Sequence, residues 1–293
     1  EFLSLETESY TMSEMDARDS DDFSISMEIS DNALIGSTSG VILSMECDNS
    51  FNRSDTIEFV IGQRQIIFFD GFENELANWM LNGDWGLTND AATGEFALSD
   101  SPNGNYQEQQ ESSAELDLFF EFDYLISPII KFKAKWDIEQ NWDFVQFQAH
   151  VGNTGWISLK GQYTNLGSGN IAQPAGVPGY DGIQLEWINE TIDLGQLDGE
   201  IITGFRFVQS SDNFVEGDGF TIDDFSISGF PNGMIGDYNL DASVDIYDLL
   251  GIVDILIFDG EPTESQLFFC DLDGSGDLDV MDLVALSNLI LGI

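Results

Sequence analysis

Oxygen-bearing side chains near the C-terminus recur at a spacing that could bind divalent cations. The first copy consists of Asp237, Asn239, Asp241, Asp245 and Asp248, with the backbone carbonyl of Ser243 among them. The second copy consists of Asp271, Asp273, Ser275, Asp277, Asp279 and Asp282. Both follow the ligand order of an EF-hand-type calcium loop, and residues 236–293 contain no Lys or Arg to neutralise them. The pattern predicts two Ca²⁺ sites, because carboxylates so close together repel one another without a cation.

The residues after each loop favour a helix over an unstructured acidic tail. A tail is the alternative interpretation, but tails do not interleave carboxylates with Leu, Val and Ile at helical spacing. We therefore expect a small helical calcium module over residues 236–293.

This duplicated segment resembles the type I dockerin family. The matching residues are Gly236-Asp237, Asn239, Asp241, Val244 and Asp248-Leu249, then Asp271, Asp273, Gly276, Leu278 and Asp282-Leu283. The resemblance implies a non-catalytic module that docks onto a β-sandwich, either a cohesin-like partner or a sandwich of its own chain. Ala242 departs from the pattern, because the first loop requires a left-handed turn that favours Gly.

Four apolar residues stand where dockerins often carry small polar residues that contact the partner. They are Ile246, Tyr247, Val280 and Met281. An apolar contact surface is therefore expected on this module.

The overall composition restricts the partners and the location. The chain has 293 residues, 54 acidic and 8 basic, with a formal net charge of −46. Nucleic acid and anionic membranes are excluded as partners, because both require clusters of Lys and Arg. No apolar run is long enough to span a bilayer. The acidic composition and the calcium loops predict an extracellular or cell-surface protein, and the start at Glu1 suggests a processed product or part of a longer precursor.

Short motifs add little to this assignment. Cys47 and Cys270 are too far apart in the sequence to indicate a disulfide framework, and the phase of Cys47 with neighbouring apolar residues predicts that it is buried. Asn52 and Asn189 lie in N-glycosylation sequons.

Apolar and polar residues alternate with a period of two in the first 66 residues, which indicates β-strands. About four strands are expected, centred on the opening Phe2–Leu5 stretch and on residues 23–29, 41–47 and 57–61. An immunoglobulin-like sandwich has more strands, so residues 1–66 are predicted to form part of one. An open sheet edge could pair with an upstream segment or a neighbouring copy of the chain.

Residues 67–229 show longer alternation and more aromatic side chains. Phe132, Ala134 and Trp136 share one face of a strand whose other face carries lysines. Such strands are buried on one side only, as in an antiparallel two-sheet sandwich. We expect a jelly-roll β-sandwich here and no long helix before Tyr247.

Three motifs in this region resemble the MAM-like jelly roll of immune-inhibitor A type secreted peptidases. They are Asp70-Gly-Phe72-Glu73, Trp136-Asp137-Ile-Glu139 with Asp143, and Asp218-Gly-Phe220-Thr-Ile222-Asp223-Asp224. The resemblance implies an accessory domain without catalytic residues and a structural cation near Asp70, Glu73, Asp223 and Asp224. The apolar phase changes at Asp223-Asp224, so a bulge is predicted that turns a carboxylate inward. Surface carboxylates at a strand end are the alternative.

Catalytic chemistry has little support in the sequence. His150 is the only histidine, and it lies on the polar face of an alternating strand, so no catalytic triad or zinc pair is indicated. With 54 acidic residues, no carboxylate pair is singled out. Five tryptophans could form sugar-binding platforms, although most are expected in the core: Trp79, Trp85, Trp142, Trp156 and Trp187.

The sequence therefore predicts a mainly β, non-catalytic, calcium-stabilised extracellular protein that is a subunit of an assembly such as a filament. The expected partners are neighbouring copies or a cohesin-like β-sandwich. Two alternatives remain: an accessory or targeting region of a secreted hydrolase, and a carbohydrate-binding module.

Overall fold

The structure is a computed structural model that describes residues 3–5, 9–11, 24–30, 33, 37–47, 51–117, 122, 124–152, 154–197, 200–258 and 260–292. It divides into two compact units, residues 1–63 and 64–293. The second unit holds both the central sandwich and the C-terminal helices. In the described part of the chain, no helix has the length and apolar character needed to cross a membrane.

The described residues of the N-terminal unit form four strands at the positions that the alternation predicts. β1 (Leu3–Leu5) pairs with β2 (Met27–Ile29), and β3 (Thr38–Cys47) pairs with β4 (Phe51–Val60), both antiparallel. Ile42 and Ile57 remain exposed on this hairpin. The predicted burial of the Cys47 side chain and the residues Phe2 and Phe23 lie outside what the structure describes.

Thirteen further strands lie in the described part of the central region. They are β5 (Gln65–Asp70), β6 (Trp79–Asn82), β7 (Gly86–Thr88), β8 (Ala97–Ser99), β9 (Glu111–Leu116), β10 (Leu125–Ile138), β11 (Phe144–Val151), β12 (Gly155–Ser158), β13 (Asn165–Leu166), β14 (Pro178–Gly179), β15 (Gly182–Asp193), β16 (Ile202–Ser210) and β17 (Gly219–Pro231). A 3₁₀ turn spans Leu194–Leu197.

Two antiparallel sheets make up the sandwich. The six-stranded sheet has the order β15-β10-β17-β8-β7, with β5 also paired to β17, and the five-stranded sheet has the order β12-β11-β16-β9-β6. The strands β13 and β14 form a separate short ribbon. The chain crosses repeatedly from one sheet to the other along its length, as in a jelly roll. The mainly β class and the β-sandwich are confirmed.

The core lies between the inner faces of these two sheets. Phe132 and Trp136 of β10 are buried there, whereas Lys131, Lys133 and Lys135 point to the other side, as the alternation predicts. The Phe132 ring meets the Phe207 ring of the facing sheet at a centroid distance of 5.3 Å in an edge-to-face arrangement. Aromatic packing of this kind adds to the free energy gained by apolar burial.

The bulge predicted at Asp223-Asp224 is present. Lys131 pairs with Ser226 but Lys133 pairs with Asp223, so β17 has one extra residue between these pairs. Asp224 adopts φ 49°, and the Asp223 side chain is fully buried. The bulge turns Asp223 inward, because it shifts the side-chain phase by one residue.

The C-terminal segment contains three helices: α1 (Ile246–Phe258), α2 (Glu264–Cys270) and α3 (Val280–Leu291). The first and third follow the two predicted loops. The sequence analysis missed α2, which begins with a capping box formed by Thr263 and Gln266. The α2 side chains Phe268 and Phe269 pack on Tyr124, at centroid distances of 5.3 and 6.1 Å. This contact joins the helical module to the sandwich at the start of β10.

Candidate functional site

The outer face of the five-stranded sheet carries polar side chains from four neighbouring strands. Cross-strand register aligns Ser158, Gln148, Arg206 and Glu115 in one row across β12, β11, β16 and β9. The adjacent row on β12 and β11 pairs Trp156 with His150. Directly opposed residues in antiparallel strands point to the same side of the sheet. We call the surface formed by Trp156, His150, Gln148, Arg206 and Glu115 the polar face.

Trp156 is the apolar element of the polar face. The Cζ atom of Arg206 lies 4.1 Å from the centroid of its ring, and the His150 ring meets it edge-on at 5.1 Å. The ring reaches over β16 at Gly204, where a Cβ atom would contact Trp156 at 3.5 Å. The indole is half-buried, so part of it stays accessible above the sheet.

The polar groups around this ring are held in place by hydrogen bonds. Arg206 Nε donates to Gln148 Oε1 at 2.8 Å, and His150 Nδ1 lies 2.6 Å from Thr203 Oγ1. Gln146 Nε2 donates to Ser158 Oγ at 2.7 Å in the adjoining row. These side chains are therefore arranged before any ligand arrives.

Arg206 is a cation without a directly bound carboxylate. No carboxylate oxygen within the described residues lies within 4.0 Å of its guanidinium. Burial lowers the pKa of Arg206, and the nearby charges of Glu115 and Glu111 raise it. An arginine stays protonated under such shifts, so its N–H groups are positioned donors on the polar face.

The five candidate tryptophans divide between the core and the surface. Trp79 and Trp85 are buried and cannot form sugar platforms. Trp142 is exposed in the loop before β11, and Trp187 lies against Lys135 on the six-stranded sheet. Only Trp156 stands among converging polar groups. The alternation placed His150 on the polar side of its strand but could not place Arg206 and Trp156 beside it.

The second calcium-type loop folds around its first and last carboxylates. Asp282 Oδ1 accepts hydrogen bonds from the backbone N–H groups of Leu272 and Asp273, and its Oδ2 accepts from Asp279 N. Asp271 accepts from the N–H groups of Ser275 and Gly276. Carboxylate oxygens of Asp271, Asp273 and Asp282 all lie within 4.8 Å of one another. The loop therefore directs several oxygens towards one point.

The first loop repeats this hydrogen-bond pattern position by position. Asp248 accepts from the backbone N–H groups of Tyr238, Asn239 and Asp245. Asp237 accepts from the N–H groups of Asp241 and Ala242. Asp237 and Asp248 are buried, like Asp282 in the second loop.

The remaining predicted ligands occupy the rims of the two loops. Asn239 Oδ1 accepts from Asp241 N, and the Ser275 hydroxyl donates to the carbonyl of Asp277. Ser243 and the side chain of Asp277 are exposed, whereas Asp245 is half-buried at the start of α1. The donor set consists of carboxylate, amide, hydroxyl and carbonyl oxygens, which suits a hard cation such as Ca²⁺.

The four carboxylates predicted for a cation site in the sandwich are bound to protein donors. Asp70 accepts from Phe72 N, Asn78 Nδ2 and Trp79 Nε1. Glu73 Oε1 accepts from the N–H groups of Glu95 and Phe96.

Asp223 and Asp224 are held by the loop that precedes β8 and by a lysine. Asp223 Oδ2 accepts from Ala92 N and Thr93 N, and Asp224 forms an ion pair with Lys133 at 2.8 Å. Burial raises the pKa of Asp223. Within the described residues, Asp70, Glu73, Asp223 and Asp224 do not gather three carboxylate oxygens within 4.8 Å. A cation at this place stays a prediction from the sequence.

The sixth position of each calcium-type loop has a left-handed backbone. Ala242 adopts φ 65° in the first loop, and Gly276 adopts φ 89° in the second. We expect Ala242→Gly to raise the free energy of unfolding by about 0.5–1 kcal/mol, because Gly has no Cβ atom to clash in the left-handed backbone. The greater conformational entropy of Gly in the unfolded chain offsets part of this gain. Urea unfolding in calcium would measure this. Gly276→Ala should act in the opposite direction, and a destabilising Ala242→Gly would contradict the loop geometry.

No protein-family model matches the chain, and no curated protein matches it. Solved structures with a similar fold include the CBM22-1 xylan-binding domain of Paenibacillus barcinonensis Xyn10C, with 13% identity over 58% of this chain and 96% of that chain, and a TM-score of 0.36. The K3 cleaved adhesin domain of Lys-gingipain from Porphyromonas gingivalis w83 has 14% identity over 56% of this chain and all (100%) of that chain, with a TM-score of 0.37. The C-terminal family 22 carbohydrate binding module of Clostridium thermocellum Xyn10B has 12% identity over 57% of this chain and 94% of that chain, with a TM-score of 0.32.

Proposed function

We propose that this chain is a non-catalytic glycan-binding protein and that the polar face is its binding surface. The observation that carries the proposal is the convergence of Trp156, Arg206, Gln148 and His150 on one open sheet face. This proposal replaces the assembly role as the main function expected from the sequence. The assembly role is retained as a second candidate.

A sugar ring has an apolar C–H surface and a rim of hydroxyl groups, and the polar face offers a partner for each. Trp156 supplies a flat apolar surface. Arg206 supplies donors, Glu115 supplies acceptors, and Gln148 supplies both. Most of these groups belong to a paired sheet rather than a mobile loop, which lowers the entropy lost on binding. An extended polysaccharide could lie across the strands.

Calcium is the second part of the proposal. We infer that the two C-terminal loops each bind Ca²⁺ through the oxygens that converge on Asp248 and Asp282. Low-affinity loops of this kind suit the millimolar calcium found outside cells, so the proposal includes an extracellular location. Because α2 leads directly into the second loop, calcium bound there would also stabilise the contact of Phe269 with Tyr124.

A second candidate function is docking through the calcium module, favoured by one specific observation. Ile246 and Tyr247 in the first repeat, and Val280 and Met281 in the second, are 54%, 67%, 64% and 58% exposed. These equivalent positions place apolar side chains at the starts of α1 and α3. We propose a second copy of this chain as the occupant, because one face of its N-terminal hairpin exposes Met45 and Ile57.

The polar face can be tested with Trp156→Ala. Affinity electrophoresis in soluble neutral and uronic-acid polysaccharides would first identify a binding glycan for the unaltered chain. The substitution should then weaken binding about tenfold, equivalent to about 1.4 kcal/mol, because the stacking surface is lost. Trp187→Ala on the opposite sheet is the control and should bind normally. The polar face would be rejected as the binding surface if both variants lost the same affinity. It would also be rejected if no polysaccharide slowed the migration of the unaltered chain.

The calcium loops can be tested with Asp282→Asn. This change keeps the size of the side chain but removes the charged oxygen at the last loop position. Bound calcium at a hundred times its dissociation constant contributes about 2.7 kcal/mol to stability, so the melting temperature in calcium should fall towards that in chelator. Asp254→Asn, an exposed change on α1, should leave the calcium effect intact. If Asp282→Asn lowered the melting temperature by the same amount in chelator, Asp282 would only support the loop backbone through its hydrogen bonds.

Docking can be tested with a Tyr247→Ser and Met281→Ser double variant. Sedimentation velocity in calcium should show self-association of the unaltered chain and a monomeric variant, since two exposed apolar contacts are removed. Leu166→Ser, at an exposed apolar position of the sandwich, is the matched control and should still self-associate. A monomeric unaltered chain at high concentration would exclude a second copy as the partner.

A further inference from the structure

A third group of carboxylates lies at one end of the sandwich, away from both calcium-type loops. Glu139 directly follows β10, Asp143 directly precedes β11, and Asp212 lies just after β16. One oxygen from each lies within 4.8 Å of the others. Glu139 and Asp143 are four residues apart on one turn, where Asp143 N donates to the Glu139 carbonyl, and the fold brings Asp212 to them.

Two of the three residues are buried and Glu139 is half-buried. Asp143 is 1% exposed and Asp212 is 9% exposed. The Oε2 atom of Glu139 exposes less than 1 Å² and has no hydrogen-bond partner within the described residues. A buried carboxylate oxygen without a donor is costly, so this atom points to a missing ligand.

Donors from the protein hold Asp143 but leave Glu139 unpaired. The Tyr106 hydroxyl donates to Asp143 Oδ2 at 2.7 Å, and the backbone N–H of Asp212 donates to Asp143 Oδ1 at 2.6 Å. The backbone N–H of Glu139 donates to the Tyr106 oxygen at 3.1 Å, which directs the hydroxyl proton to Asp143. None of the three carboxylates forms an ion pair with a described basic residue.

Three carboxylates so close together strongly favour uptake of positive charge. Burial raises the pKa of Glu139, and Asp143 and Asp212 raise it further. Burial likewise raises the pKa of Asp143. Calcium binds oxygen ligands at about 2.3–2.6 Å, so two oxygens on one ion can be up to about 5 Å apart. The three oxygens, each within 4.8 Å of the others, meet that limit.

We propose that Glu139, Asp143 and Asp212 bind a calcium ion in the sandwich itself. The ion would give Glu139 Oε2 its missing partner and connect the ends of β10, β11 and β16. Glu139 and the 215–217 segment also line a cavity of about 720 Å³. Calcium would therefore hold one wall of this cavity in place. The site is independent of the C-terminal loops and of the polar face.

Equilibrium dialysis of the full chain against radioactive calcium at about 1 mM, in the range of extracellular modules, tests the site. Glu139→Gln should bind one ion fewer per chain than the unaltered protein. This variant keeps the side-chain shape and removes no described side-chain hydrogen bond of Glu139, so the sandwich should stay folded. Glu216→Gln, which lines the same cavity outside the carboxylate group, should bind as many ions as the unaltered chain.

Thermal unfolding gives a second readout that separates binding from packing. The Glu139→Gln chain should melt below the unaltered chain in calcium and at the same temperature in chelator. Asp143→Asn is a second variant, checked for native circular dichroism before dialysis. Unchanged calcium stoichiometry in both folded variants would overturn the proposal and leave a protonated carboxyl group as the explanation.

Discussion

The structure depends on how a chain with 54 acidic and 8 basic residues satisfies its buried carboxylates. Backbone N–H groups supply most of the partners. Glu190 is fully buried and accepts from the N–H groups of Gln162, Tyr163 and Thr191 and from the Tyr180 hydroxyl. A charged acceptor bonded to several such donors stays in the core without a basic residue. Each such carboxylate also fixes the loop that provides its donors.

The same constraint separates the carboxylates that protein donors satisfy from the carboxylates that face one another. Where protein donors satisfy both carboxylate oxygens, as at Asp70 with one backbone N–H group and two side chains, the carboxylate is fully paired. Where carboxylates face one another, as at Asp271, Asp273 and Asp282, donors alone leave oxygens pointing at a common centre. Such a centre suits a divalent cation, as we propose for these loops.

The aromatic core supplies the rigidity on which the polar face relies. Phe147, Phe205 and Phe207 are buried behind the same strands that present Gln148 and Arg206 outward. Since side chains alternate between the two sides of a strand, a tightly packed inner face fixes the positions on the outer face. The helical module is attached to this framework through Tyr124, so sandwich and calcium loops belong to one compact unit.

The sequence by itself determined the features that depend on local spacing. Alternation identified the strands and the inward side of β10 and β11, the phase change located the bulge at Asp224, and ligand spacing located the two loops. These succeeded because strand phase and loop geometry are set by residues a few positions apart. Helix α2 was missed because its seven residues are too few for a clear period and it is stabilised by packing on Tyr124.

Only the tertiary structure decided which distant residues meet. Trp156 and Arg206 stack because β12, β11 and β16 are neighbours in one sheet, an order set by repeated crossing between the two layers. Glu139, Asp143 and Asp212 converge because three strands end at the same edge of the sandwich. Local sequence patterns do not predict contacts between distant strands, because these contacts follow from long-range strand order and register.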